Sequence, residues 1–334
     1  MSRILVIATG GTIASLPEDG ALAPALTGDE LIARVPLIEE LCDIDVLQLM
    51  NIDSTNMRPR DWMRIRDAIV HEHDRYDGFV ILHGTDTMAY TAAALSYLIQ
   101  GSEKPIVLTG SQQPMAAPFT DAKLNLYHSL LWATDEAATD VSVVFGGHVI
   151  AGTRAHKQRT MSANAFTSLN YPDLAVLRGN RIIRTGPAAS SDSPTQGLRT
   201  YGQLNDHVIV LKLTPELRPS IFNLLARDYD AIILETFGIG GIPEYDNGSF
   251  RKAIFGWVDM GRTLILTTQV PEEGLDLGVY EVGKAYANHP GILRGGDMTG
   301  EALLAKTMWA LGNARDSDEV AELFYHPVNH DRTI

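Results

Sequence analysis

Four short stretches of the chain gather hydroxyls, amides and acidic groups, three of them around glycines. They are Thr9-Gly10-Gly11-Thr12-Ile13-Ala14-Ser15, Asp53-Ser54-Thr55-Asn56-Met57, His83-Gly84-Thr85-Asp86-Thr87-Met88 and Thr109-Gly110-Ser111-Gln112. Thr12, Thr85 and Ser54 each carry a hydroxyl able to attack a carbonyl once a base or a strong local field activates it. Asp86, immediately after Thr85, suits a substrate ammonium group. Glycine-flanked amides at Gly11 or Thr85 suit an oxyanion hole, where one donor is worth ~3–4 kcal/mol of barrier. Together these groups point to acyl transfer on an amino-acid-like substrate.

The other readings of these residues are structural. A threonine after a strand often caps a helix, which would account for Thr12 or Thr87 alone. Asp86 alone would serve as a first-turn carboxylate favoured by the helix dipole. His83 is read as a local hydrogen-bonding group. A strand followed by Gly-Gly resembles a dinucleotide or phosphate loop, yet neither the G-x-G-x-x-G pattern nor a Gly-Lys-Ser/Thr ending is present. His71-Glu72-His73-Asp74 spaces its histidines two apart, so on a helix they would point apart, and Pro327 spoils a ligand pair of His326 with His330. No metal site is expected.

Short apolar, β-branched runs position these loops: Ile4–Ala8, Val46–Met50, Gly78–Leu82, Pro105–Leu108, Val141–Phe145, His207–Leu213, Ala231–Leu234 and Thr263–Leu266. Most lack alternation, as strands covered on both faces do. Helical spacing marks Arg60–Val70, Tyr90–Ile99 and Asp121–Thr134 between them. This order predicts an α/β fold, with a larger N-terminal doubly wound parallel-sheet domain and a smaller C-terminal α/β domain. The turn-prone stretch from Gly186 to Gly197 reads as a linker. The expected division is 1–185, a linker over 186–203, and 204–334. The four polar loops each follow one of the first four strands, so all would meet at one carboxyl edge, where open α/β sheets bind ligands.

Composition narrows the partners. The 334 residues hold 27 Lys plus Arg against 41 Asp plus Glu, a net charge of −14. Such a surface repels phosphate backbones and anionic lipid, so no nucleic-acid or membrane partner is expected. Cys42 is the sole cysteine, which excludes an internal disulfide. The apolar run after Met1-Ser2-Arg3 is too short for a signal-peptide core, and a cytoplasmic location is expected.

Val6-x-x-Thr9-Gly10-Gly11-Thr12-Ile13-Ala14 and Gly78-x-Val80-x-x-His83-Gly84-Thr85-Asp86-Thr87-Met88 resemble the two signature motifs of the bacterial-type L-asparaginases. The resemblance continues through Asp53-Ser54-Thr55, Thr109–Gln112, Lys157, Asn170-Tyr171, Phe237–Pro243, Thr268-Gln269 and Gly296–Thr299. It covers nearly the whole chain and is nearer the cytosolic type I branch than the periplasmic type II branch. It implies hydrolysis of L-asparagine to L-aspartate and ammonia without metal or organic cofactor, with weaker glutaminase activity. It also implies Thr12 as nucleophile and Thr85, Asp86 and Lys157 as a second constellation. Asp53, Ser54, Thr55 and Asp86 would bind substrate, Ser54 and Thr55 at its α-carboxylate, and the Ser111 carbonyl would receive the leaving amide nitrogen.

The resemblance further implies a homo-oligomer, a dimer or tetramer. Gly238–Pro243 and the Tyr280-Glu281 region would then reach a neighbour's site, although Gly241 stands where many relatives carry asparagine. Ser15–Leu31 reads as a hinged lid without the tyrosine that much of the family uses, so Leu22 would supply only apolar cover. Thr12 would then be activated through Thr85 and Lys157, by an ordered water, or by Tyr245 or Tyr280. Competing readings are an amidotransferase-type subunit acting on misacylated tRNA, a non-catalytic amino-acid-binding protein and a nicotinamide oxidoreductase. The amidotransferase normally carries an extra N-terminal domain, whereas here the first strand starts at Arg3 or Ile4.

Overall fold

The structure, a computed structural model, describes residues 1–18, 21–24, 26–185, 197–278, 281–287, 289 and 291–333. The chain divides into two compact units, Met1–Gly202 and Gln203–Ile334. In the first, eight strands form one sheet. From one edge they are Asp43–Ile52, Arg3–Gly10, Gly78–Leu82, Ile106–Thr109, Val141–Phe145, His148–Ala151, Ala175–Arg178 and Arg181–Arg184. The first five run parallel, and the last three continue the sheet antiparallel.

Burial explains why the parallel strands read as unbroken apolar runs. Ile4–Ile7, Phe79–Leu82 and Ile106–Leu108 are all buried, because helices cover both faces of the sheet. The Pro59–Glu72 helix starts on a proline and buries Trp62, Ile65 and Ile69 along one stripe. The alanine-rich Met88–Leu98 helix buries every residue except Tyr90. At the antiparallel end, Gly146 and Gly147 turn one hairpin with φ of 60° and 84°, conformations that favour glycine.

The second unit holds a four-stranded parallel sheet in chain order: Val208–Lys212, Ala231–Thr236, Thr263–Thr268 and Ile292–Arg294. Its core packs Phe222, Phe250, Trp257 and Tyr286 against Ile232, Leu234, Leu264 and Leu266. Each such buried side chain contributes ~1.5–3 kcal/mol over exposure. The α/β architecture, larger sheet first and smaller sheet second, matches the expectation from sequence. One detail differs. Arg199–Thr200 pairs antiparallel with Ile99–Gln100, so this part of the expected linker is hydrogen-bonded into the first unit. Residues 186–196 of that linker lie outside the described residues.

In the second unit, buried ionic contacts hold the C-terminal segment. Lys306 Nζ donates to Asp331 Oδ2 at 2.5 Å and to the His326 carbonyl at 2.7 Å. Asp297 accepts from the Thr333 amide at 3.1 Å, and Thr299 caps the Gly300–Asn313 helix. The Gly296–Thr299 motif therefore has a structural task in this unit. No helix among the described residues is long and apolar enough to cross a membrane.

Candidate active site

The site is built on contacts between glycine backbones. The first strand slips register against its Asp43–Ile52 neighbour between Ala8 and Gly10. The Gly11 amide closes that irregularity by donating to the Ile52 carbonyl at 3.0 Å. Gly11 sits at φ 86°, ψ −178°, a conformation essentially reserved for glycine. A Cβ there would collide with the Cα and N of Gly84, and a Cβ on Gly84 would lie 2.5 Å from Ser54 Oγ. A Cβ on Gly110 would strike the His83 carbonyl. Through these approaches the four polar loops touch one another at the carboxyl edge of the parallel strands. Thr12, Thr85 and Ser111 each directly follow one of the interlocked glycines.

The two threonines differ in how they are held. Thr12 opens a short 3-10 turn, Thr12–Ala14, and is partly exposed. Its hydroxyl has no hydrogen-bond partner among the described residues. Thr85 is buried at 5% exposure and its hydroxyl has two partners. Lys157 Nζ donates to Thr85 Oγ1 at 2.8 Å, and Thr85 Oγ1 donates to Gln112 Oε1 at 3.1 Å. Lys157 also donates to Asp86 Oδ1 at 2.5 Å. An antiparallel pair, Ala155–Lys157 with Phe166–Ser168, carries Lys157 to this point. The result is an Asp86–Lys157–Thr85–Gln112 chain, exposed at the Asp86 end and buried at Thr85.

The second loop is self-contained. Asp53 accepts from the amide and the hydroxyl of Thr55, both at 2.8 Å, which caps the Ser54–Asn56 turn. Ser54 is buried, and its carbonyl accepts from Thr87 Oγ1 at 2.8 Å. Asp53 and Thr55 are exposed. In the fourth loop, the Ser111 hydroxyl donates to the Gln113 carbonyl at 2.5 Å.

His83 is fully buried between the Gly84 carbonyl, 2.7 Å from Nδ1, and Thr91 Oγ1, 2.9 Å from Nε2. The carbonyl only accepts, so Nδ1 carries the ring proton and Nε2 takes the Thr91 hydroxyl. Burial pushes its pKa down to about 4, leaving a neutral, locally bonded ring, as the sequence leads one to expect.

Some expected roles change. The Gly11 amide is occupied by Ile52, so it cannot serve an oxyanion; the amides of Thr12 and Thr85 have no backbone partner among the described residues. Within the expected lid, Ser15–Glu18 pairs antiparallel with Ala21–Pro24. The Leu22 and Glu281 side chains and the whole of Tyr280 lie outside the described residues. In the second unit, Gly238–Pro243 begins as a tight turn in which the Gly241 amide donates to the Phe237 carbonyl at 2.6 Å.

Sequence reasoning misses the supports. Asp121, at the start of the Ala122–Ala133 helix, accepts from the amides of Gln112 and Gln113 at 3.0 Å each. Asn125, one turn on, donates to the Gly110 carbonyl at 3.0 Å. The available signal is a helix-initiating Asp nine residues after a polar loop. Gln112 closes that loop, and nothing in its spacing gives it a role of its own.

Two family models and several known proteins match the chain. The family model "Asparaginase, N-terminal" matches residues 3–188, and "Glutaminase/Asparaginase C-terminal domain" matches residues 207–324. The L-asparaginase of Thermococcus kodakarensis is 38% identical over 96% of each chain. Its solved structure superposes with a TM-score of 0.91 over 99% of both chains, at 36% sequence identity. L-asparaginase I of Vibrio cholerae superposes with a TM-score of 0.87 at 29% identity, covering 100% of this chain and 99% of that one. A glutamyl-tRNA(Gln) amidotransferase subunit of Metallosphaera sedula is 35% identical, over 96% of this chain and 74% of its own length. With two matched family models and a near full-length relative at 38% identity, the chain belongs to the asparaginase family.

Proposed function

We propose that the protein hydrolyses L-asparagine to L-aspartate and ammonia through an acyl-enzyme on Thr12, with L-glutamine a weaker second substrate. The observation that carries this reading is the pairing of a Thr12 hydroxyl that has no partner among the described residues with a Thr85 hydroxyl fixed by Lys157 and Gln112, on loops locked through Gly11 and Gly84. In the first half-reaction, Thr12 Oγ1 bonds to the side-chain amide carbon. The C–N bond breaks, and the nitrogen leaves as ammonia with the proton given up by the hydroxyl. In the second, water adds to the ester carbon, the ester C–O bond breaks, and Thr12 recovers its proton.

Charge develops on the carbonyl oxygen in both steps, and the amides of Thr12 and Thr85 suit it. Lys157, donating to Thr85 Oγ1, fixes that hydroxyl so that its remaining lone pair can accept a hydrogen bond from the Thr12 hydroxyl or from water, while the proton itself passes to the departing nitrogen in the first step and to Thr12 Oγ1 in the second. Asp86, whose Oδ1 meets Lys157, would present its other oxygen to the substrate ammonium. Ser54 and Thr55, with Asp53 fixing the turn, would meet the α-carboxylate, and the Ser111 carbonyl would accept from the departing nitrogen.

We read 1–185 as the nucleophile-bearing domain and 204–334 as the second domain, 186–203 linking them. We place the enzyme in the cytoplasm as a dimer or tetramer, by its resemblance to the type I branch. A second reading, amide hydrolysis within a tRNA-dependent amidotransferase, is favoured by the Metallosphaera sedula relative and opposed by the −14 charge. Paired ammonia-release assays with L-asparagine and L-glutamine test the proposal. Faster release from asparagine is expected, and no release from asparagine refutes it.

A further inference from the structure

We infer that Gln112 is a positioning residue that orients the Thr85 hydroxyl for catalysis; this rests on the amidohydrolase reading above. A hydroxyl has one proton and two lone pairs. A Lys157 ammonium has only donors, so at 2.8 Å it must meet a lone pair of Thr85 Oγ1. The Thr85 proton has to point elsewhere, and Gln112 Oε1, 3.1 Å away, receives it. The opposite end of the same amide fixes its orientation: Nε2 donates to the Arg159 carbonyl at 3.5 Å, a group that only accepts. The oxygen end therefore faces Thr85.

The loop behind Gln112 is anchored at several points. Asp121 holds the amides of Gln112 and Gln113, while the Asn125 amide spans the Gly110 carbonyl at 3.0 Å and Asp121 Oδ2 at 3.2 Å. Asn125 Oδ1 accepts from the Gly146 amide at 3.0 Å, which ties this support to the turn after the fifth parallel strand. With its proton on Gln112 and one lone pair on Lys157, Thr85 keeps a second lone pair. That lone pair can accept a hydrogen bond from the Thr12 hydroxyl or from water and so aim the attacking oxygen, with no proton transferred to Thr85. A neutral amide performs this task without adding charge beside the Lys157–Asp86 pair. A carboxylate in its place would accept equally well, yet would also stabilise protonated Lys157.

The test compares Gln112→Met with Gln112→Glu in steady-state ammonia release across pH. Gln112→Met removes the acceptor at similar volume, and kcat should fall about 10–100-fold with KM within about threefold. Gln112→Glu should recover most of that loss, and the alkaline limb of its kcat–pH profile should move to higher pH by about one unit. Equal losses in both variants with an unmoved alkaline limb, or wild-type kcat in Gln112→Met, would overturn the inference.

A readout that needs no turnover separates this inference from the functional proposal. The 15N side-chain amide signal of Gln112, identified by its loss in Gln112→Met, should shift in Thr85→Val. An unmoved signal refutes the contact whatever the activity. A shifted signal in a protein that releases no ammonia from asparagine would refute the functional reading and leave the orientation of Thr85 standing.

Discussion

Replacing Gly11 by alanine tests whether the glycine interlock assembles the site. Two costs add. The backbone at φ 86°, ψ −178° is essentially closed to alanine, at ~1–3 kcal/mol. The new methyl also collides with the Cα and N of Gly84, a backbone already in close contact with Ser54. Overpacking of that kind costs ~1–3 kcal/mol, so the sum is ~2–6 kcal/mol. At ~2–4 °C per kcal/mol for a unit the size of Met1–Gly202, Tm should fall by at least ~4 °C. Activity should fall further than stability, since a ~1 Å displacement of a reacting group can cost ~100-fold. Gly256→Ala is the control. Nothing lies within 4 Å of its Cβ position and it sits inside a helix, so Tm should hold or rise. Differential scanning fluorimetry and ammonia release on the same preparations give both numbers. A Gly11→Ala protein with Tm within 2 °C (about 1 kcal/mol or less) and near wild-type turnover would sink the interlock as the organising device.

Three further outcomes are expected. Thr12→Ala should fold with an unchanged Tm and lose ammonia release by several orders of magnitude; turnover near wild type would remove Thr12 from the mechanism. Lys157→Met should abolish formation of the Thr12 acyl-enzyme and not merely slow its hydrolysis, so an acylated Thr12 accumulating in rapid-quench mass spectrometry would place activation elsewhere. His83, held down to about 4 by burial against an unfolded value near 6.5, gives a pH signature. Between these values only the unfolded chain binds the proton, so the His83 contribution to stability should be constant above about pH 7 and fall by ~3 kcal/mol between about pH 6.5 and pH 4. NMR should show no His83 ring titration between about pH 5.5 and 7.5, and a midpoint in that window contradicts the neutral, buried assignment.

The parallel strands are readable because burial on both faces leaves an unbroken apolar run. Gly78–Leu82 and Val141–Phe145 match the strand bounds found, and the others differ by a few residues at their ends. The antiparallel end is not readable in the same way, although it leaves a signal. Gly146-Gly147 and Gly179-Asn180 are short hairpin connections, but the last three strands have only four residues each, too few for a period to show. In the site, loop convergence is legible, since it follows from parallel strands alone. Which amide is free is not. The Gly11 N–H looks available because nothing local requires it, yet its partner, Ile52, lies 41 residues away across a register slip. Asp121 and Gln112 stay hidden for the same reason: their roles depend on contacts between loops, and no spacing within one loop encodes them.

The contrast between the two threonines follows from this construction. Both hydroxyls stand one residue beyond a glycine at a strand end, and in sequence either can be the nucleophile. The fold separates them by what surrounds each oxygen. Thr85 is buried, with a cation on one lone pair and an amide oxygen on its proton, so rotation about χ1 would break two hydrogen bonds at ~0.5–3 kcal/mol each. Such a group is suited to accept a hydrogen bond in a fixed place. Thr12 loses no bond among the described residues when it turns, which an attacking oxygen requires as it moves from van der Waals contact to a covalent bond. The same interlock that immobilises the backbone at Gly11 and Gly84 thus holds the Thr85 hydroxyl by two hydrogen bonds and leaves the Thr12 hydroxyl without one among the described residues. Removing Gln112 or Lys157 should therefore make Thr85 less selective in orientation before it makes the protein less stable.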